Sequence, residues 1–176
     1  MFKKILFTLL IAFLLFIVWI IGLQNIYAHF LLYVLYIPLL VSPETTLHLS
    51  IASNQPIYTV VSFINHQEYT WSLSGELFLL PFVLLLAWQI FQFFVLPSAK
   101  ARIITRNNML VMVLCQLLYL WLLTFYWKFE AARIIHDMMN NNLVILALFL
   151  IIKDVIRHRI FDFDLKWPNN KSISSI

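Results

Sequence analysis

The polarity pattern of the chain has two kinds of stretch: long apolar runs, and one segment where apolar and polar side chains alternate. Ile5–Leu23 carries no charge, and Leu77–Leu96, Met109–Trp127 and Leu143–Ile152 repeat that character, the last extending to Val155 or Ile156. About 20 residues at 1.5 Å rise per residue cross a 30 Å hydrocarbon core, so the pattern predicts four transmembrane helices. The fourth run is short, with Asn140, Asn141 and Asn142 at one end and Lys153 able to snorkel at the other.

Two segments fit neither description. Ile26–Val41 is apolar but carries Tyr27, Phe30, Tyr33 and Tyr36 three residues apart, a spacing that holds one helix face. Tyr favours the membrane–water boundary, so this reads as an interfacial helix along the outer leaflet or a tilted extension of the first span, ended by Pro38 and Pro43. Between Thr45 and Leu73 the period changes to two. Leu47, Leu49 and Ile51 alternate with His48, Ser50 and Ala52; Tyr58–Phe63 is β-branched or aromatic; Tyr69, Trp71 and Leu73 alternate with Thr70 and Ser72. With turn signals at Asn54-Gln55-Pro56 and Asn65–Glu68, this predicts an external antiparallel hairpin or sheet, too small to stand alone. Ser74 can cap the second span, with Glu76 at its positive N-terminal end and Pro81 in its first turns. In the tail, Phe161, Phe163, Leu165 and Trp167 alternate with charged residues, giving a short strand or membrane-surface segment before a disordered end.

Charge orients the spans. Lys3, Lys4, Lys100, Arg102, Arg106, Lys153, Arg157, Arg159, Lys166 and Lys171 fall on one side; only Lys128 and Arg133 fall on the other. Basic residues stay cytoplasmic, which predicts a multi-pass membrane protein with both termini and the 97–108 loop cytoplasmic, and 41–75 and 128–141 outside; the lack of Asn-x-Ser/Thr in the outside segments agrees with a bacterial inner membrane. Composition agrees, at 62% hydrophobic and 11% charged, where a soluble domain has about 25% charged. The net charge of +4 is explained by this topology and by anionic headgroups, so the partners expected are the bilayer and a membrane protein, not nucleic acid. The first run is longer than a cleaved signal and lacks Ala-x-Ala after it, so it reads as a signal anchor. The expected organisation is therefore an all-α membrane bundle: the anchor helix at 1–25, an interfacial helix at 26–43, the external β segment at 44–75, a three-helix bundle at 76–158 and a cytoplasmic tail at 159–176.

Chemistry is sparse. Cys115 is the sole cysteine and the five histidines are scattered, which points to no disulfide, no metal centre and no cofactor. Cys115 lies among Val113, Leu114, Gln116 and Leu117, surroundings of a buried apolar residue rather than of an activated thiol. Glu130, Arg133, His136 and Asp137 share a helix face by their i,i+3 and i,i+4 spacings; they offer a docking patch or, at His136 and Asp137, an acid–base group, against an ordinary amphipathic surface. Gln89, Gln92 and Gln116 read as interhelical hydrogen-bonding groups. No ionised residue is expected inside the spans, which argues against a pump. The free edge of a small sheet, around Tyr58, Val60 and Trp71, is suited to receiving an extended peptide.

The layout resembles the exosortase H-associated small membrane proteins. The residues that carry the resemblance are the Lys3–Leu23 anchor, the alternating Leu47–Leu73 stretch, and the direct passage from Trp71-Ser72-Leu73-Ser74-Gly75 into Leu77–Leu96. The resemblance rests on layout, not on an invariant motif, and carries over no functional residue. It implies an inner-membrane accessory to a sorting enzyme acting on secreted proteins; the residues themselves, read apart from the resemblance, offer Glu130, Arg133, His136, Tyr58, Val60 and Trp71 for partner binding. Two other classes stand beside it: a hydrolase or transferase using His136, Asp137, Glu68 or His66, and a small transporter with a polar path along Gln89, Gln92 and Gln116.

Overall fold

The computed structural model describes residues 2–39, 44–53, 55–158 and 160. It is mostly helical, with one small sheet. Helix α1 (Phe2–Val18) runs through a wide π-helical turn at Trp19–Leu23 into α2 (Gln24–Leu39). The turn contains the non-helical Gly22, where the chain kinks, as single π turns inserted in α-helices do. Strands β1 (Thr45–Ala52), β2 (Gln55–Ile64) and β3 (Gln67–Ser74) follow, then α3 (Gly75–Val95), α4 (Ser98–Thr124) and α5 (Glu130–His158).

Among the described residues, two helices are long and apolar enough to cross a membrane: Leu9–Tyr36, taken through the π turn, and Ser98–Thr124. A third joins them if the two halves of α5, Glu130–Asn140 and Asn142–His158, inclined at 53°, form one span. The apolar Leu79–Val95 in α3 is shorter.

Several element bounds differ from those expected. Over the described part of the 26–43 segment, α2 follows α1 through the π turn, with the kink at Gly22 between them. Its aromatic stripe splits, with Tyr27 buried and Phe30, Tyr33 and Tyr36 exposed, since a three-residue spacing drifts round a helix of 3.6 residues per turn. Pro38 lies inside the helix, which ends at Leu39; Pro43 lies outside the described residues. The 97–108 loop is helical: α4 starts at Ser98, directly after Pro97. Ser74 precedes α3, but its hydroxyl makes no cap bond. The expected strand or surface segment at 161–167 and the rest of the tail lie outside the described residues.

The sheet is antiparallel in the order β1-β2-β3. Leu49, Tyr58 and Leu73 align across it, as do Leu47, Val60 and Trp71 and then Thr45, Ser62 and Tyr69. Opposed residues of an antiparallel pair share a face, so these form the inner face. Thr46, His48, Thr59, Thr70 and Ser72 form the outer one. The β2–β3 turn is the dipeptide Asn65-His66, with φ of 53° and 64°, the two left-handed residues of a type I′ hairpin. Gly75 follows β3 where a Cβ would stand 2.8 Å from the carbonyl oxygen of Pro56, so only glycine fits.

One apolar core joins the inner sheet face to the helices, through Tyr58, Val60 and Leu47 of the sheet, Ala28 and Leu31 of α2, Leu79 of α3 and Tyr119 of α4. At the far end of the bundle, Trp88 and Phe91 of α3 pack with Ile11 of α1 and Ile160. The molecule thus has a sheet end, with the α4–α5 connection, and a basic end. The basic end gathers the start of α1, the α3–α4 junction and the last turns of α5.

Candidate functional site

The sheet end is a continuous aromatic seam. Trp71 of β3 stacks on Tyr126 at 5.1 Å between ring centroids, and Tyr69 packs against Trp127 at 5.5 Å. Tyr126 meets the His136 ring edge-on, and that ring stacks on Tyr119 at 4.2 Å. The alternation of β3 is what puts Tyr69 and Trp71 on the same face, toward the α4–α5 connection. Lys128 in that connection pairs with Glu44 ahead of β1 at 3.1 Å, and the Phe63 amide donates to the Glu44 carbonyl at 3.0 Å.

His136 is buried at 3% side-chain exposure, while Asp137 beside it is exposed. The imidazole Nδ1 lies 3.2 Å from Asp137 Oδ1, and Nε2 is buried without a hydrogen-bond partner. Burial pulls the imidazole below the ordinary histidine pKa, against the opposing pull of Asp137. No described hydrogen bond, ion pair or ring contact joins His66 or Glu68 to this pair. His66 is a turn residue with left-handed backbone, and Glu68 accepts a 3.4 Å bond from Thr70. Arg133 pairs with Glu130 at 3.3 Å, both exposed. The seam thus holds a histidine–carboxylate pair, to whose Asp137 the Tyr126 hydroxyl donates at 3.5 Å.

Of the residues expected to meet a partner, Glu130 and Arg133 are at the surface and Trp71 is partly exposed. Tyr58, Val60 and His136 are buried. The first two face inward because the β2 alternation places them on the helix side. Tyr58 donates its hydroxyl to the Ala28 carbonyl, and burial pushes its phenol well above the ordinary range. What the sheet leaves open is backbone and the outer face: β1 and β3 are its edges, and β3 is exposed along most of its length.

No family model, curated protein or solved structure matches the chain. Among the described residues, no three His, Cys, Asp or Glu side chains are grouped to hold a metal.

The second polar constellation was not anticipated from the sequence. Asp154 of α5 is wholly buried, and its Oδ2 accepts from Gln92 Nε2 and Asn108 Nδ2 at 2.7 Å each and from Trp88 Nε1 at 3.3 Å. Lys153 Nζ donates to Asn108 Oδ1 at 2.7 Å and lies 3.6 Å from Asp154 Oδ1. Thr105 donates to Gln89 at 3.1 Å. An ionisable residue therefore sits inside the bundle, contrary to the expectation that the apolar helices hold none. The expected amide pairing does occur, because Gln92 binds Asp154 and Tyr27 donates to Gln116. The three glutamines form no single path: Gln116 belongs with Tyr27 toward the sheet end, Gln89 and Gln92 with the basic end. The signal in the sequence was Asp154 itself, one acid between Ile151-Ile152 and Val155-Ile156.

Proposed function

We propose that this chain is an integral membrane accessory protein that presents its sheet outside a bacterial inner membrane to an extended segment of a membrane-bound partner. In this reading α1–α2, α3, α4 and the α5 half after Asn142 are four spans, with both termini cytoplasmic. The reading is supported by the apolar length of Leu9–Tyr36 and Ser98–Thr124 and by the basic residues collected opposite the sheet.

The observation that carries the binding role is the edge of β3. Gln67–Ser74 is an exposed edge strand of a sheet, and the aromatic seam fixes its inner face against the bundle. An edge held rigidly in this way is an acceptor for one more strand. The partner class favoured is an exosortase-type sorting enzyme or the secreted protein it processes, on the resemblance in layout. The test is co-purification of the tagged protein from its native membrane in mild detergent. A membrane enzyme should co-purify with wild type and be lost from Thr70→Lys/Ser72→Lys, which charges the strand without touching the seam. Retention in that variant would sink the edge as the interface.

Asp154 favours a second reading, a transporter component, because buried carboxylates mark ion and proton routes. Flux through proteoliposomes that disappears in Asp154→Asn would establish it, and partner-free liposomes without flux would dismiss it.

A further inference from the structure

A cavity of about 220 Å³ opens at the basic end between the first turns of α4 and the last turns of α5. Its wall carries Lys100, Lys153, Arg157, Asn107, Asn108 and His158, with Asp154 at its back. We propose that this cavity is a binding site for a phosphate group, carried by an anionic phospholipid or free in solution.

Three features argue for an anion. First, cations outnumber the carboxylate, and Lys100 and Arg157 have no acidic partner among the described residues. Held around one hollow, such charges repel each other until a counter-charge enters. Second, Asp154 offsets only one of the three cations Lys100, Lys153 and Arg157 on the wall. Its Oδ2 is taken up by three N–H donors and its Oδ1 faces only Lys153. Lys153 gives one N–H to Asn108 and has others to direct into the cavity. Third, His158 Nδ1 is buried without a hydrogen-bond partner among the described residues, a ring nitrogen open to a ligand in the cavity. At about 30 Å³ per water, the volume holds a small anion with its waters. The hollow lies between two helices, α4 and α5.

The position adds the source. Basic pockets between helices at a cytoplasmic boundary hold lipid headgroups, and exposed Ile103 on the cavity wall offers an apolar contact to an acyl chain. This choice of source rests on the membrane reading above; the phosphate chemistry does not.

The test uses the full chain in nanodiscs of phosphatidylcholine, with or without phosphatidylglycerol, and native mass spectrometry of the lipid retained. In parallel, thermal unfolding in detergent is followed with inorganic phosphate. Wild type should retain phosphatidylglycerol over phosphatidylcholine. Lys100→Gln/Arg157→Gln, and separately Asn107→Asp at an exposed wall position, should weaken retention by about fivefold or more for each charge changed. Arg102→Gln/Arg106→Gln, exposed on the same turns of α4 but off the cavity wall, should stay within about twofold of wild type. Phosphate that raises the unfolding temperature and displaces the lipid assigns the site to the phosphate group from either source; retained lipid that phosphate does not displace assigns it to the headgroup. Equal losses in the cavity and control variants, or neither lipid preference nor a phosphate effect, would overturn the proposal. If the chain fails to enter nanodiscs, the membrane reading fails, and the phosphate response in detergent still decides the site. Should the double variant misfold, Asn107→Asp and the wild-type phosphate response carry the decision.

Discussion

Tyr58 at the centre of the sheet donates its hydroxyl to the backbone carbonyl of Ala28 on α2, at 3.1 Å. This bond crosses the junction between sheet and bundle, with Ala28, Leu31, Val60 and Leu79 packed round it in the shared core. A three-stranded sheet of this size is marginal by itself, so its order derives from this junction and from the seam at Trp71 and Tyr126.

Tyr58→Phe is expected to cost about 1 kcal/mol, the net worth of one hydrogen bond. Tyr58→Ala is expected to cost about 4 kcal/mol by emptying a buried aromatic site. Hydrogen exchange of the sheet amides is the measurement, because the loss should appear in β1–β3 while α4 and α5 keep their protection. Uniform loss across the chain would mean that sheet and bundle unfold as one unit.

The Asp154 network separates a substitution that removes the acceptor from one that keeps it. Asp154→Leu strands the N–H groups of Gln92, Asn108 and Trp88 and leaves Lys153 beside an apolar side chain, for an expected loss of about 3–5 kcal/mol. Asp154→Asn keeps an acceptor in place and should lose about 1–2 kcal/mol. Thermal unfolding in detergent ranks them, and a leucine variant as stable as the asparagine one would show that water reaches the stranded donors.

How far the sequence disclosed this structure follows from which interactions are periodic. The strands at 45–73 were legible because period-two alternation reports a sheet with one covered face, and Leu47, Val60 and Trp71 do align across it. The helical cores of α3, α4 and α5 were legible from apolar length. The bounds of α4 were not, because Lys100, Arg102 and Arg106 interrupt hydrophobicity without interrupting the helix. Asp154 was passed over since it sits next to Lys153 at the end of an apolar run, which reads as a boundary. Its partners come from three separate helix positions that no local pattern links. Tyr58 and Val60 were assigned to a partner although their strand lies in the middle of the sheet: alternation tells which residues share a face, not which face meets the helices.

His136 makes stability depend on pH. Burial lowers its pKa in the folded protein below the ordinary 6.5, so the unfolded chain takes up a proton that the folded chain refuses. Stability then falls as pH drops below about 6.5 and levels off once pH passes the lowered folded value. His136→Phe keeps the stacking on Tyr119 and removes this titration, while the other histidines remain in both proteins and cancel in the comparison. Unfolding midpoints from pH 8 to pH 5 should diverge, wild type falling more steeply. Parallel curves would show that Asp137, which pulls the other way, offsets burial completely.

The orientation of the bundle can be read with one reagent, because Cys115 is the chain's only cysteine. In a Cys115→Ser background, Thr70→Cys puts a thiol on the exposed face of β3, and Ser98→Cys puts one at the exposed start of α4. With sheet and basic end on opposite sides of the membrane, a membrane-impermeant maleimide added to intact spheroplasts should label the thiol at 70 and leave the one at 98 unmodified until the cells are opened. Labelling of both without lysis would place the two ends on one side, which the charge distribution forbids for spanning helices, and would remove the membrane topology together with the sheet-edge docking built upon it. Labelling at 98 alone would invert the chain, leaving the helices as spans but turning the β3 edge toward cytoplasmic partners.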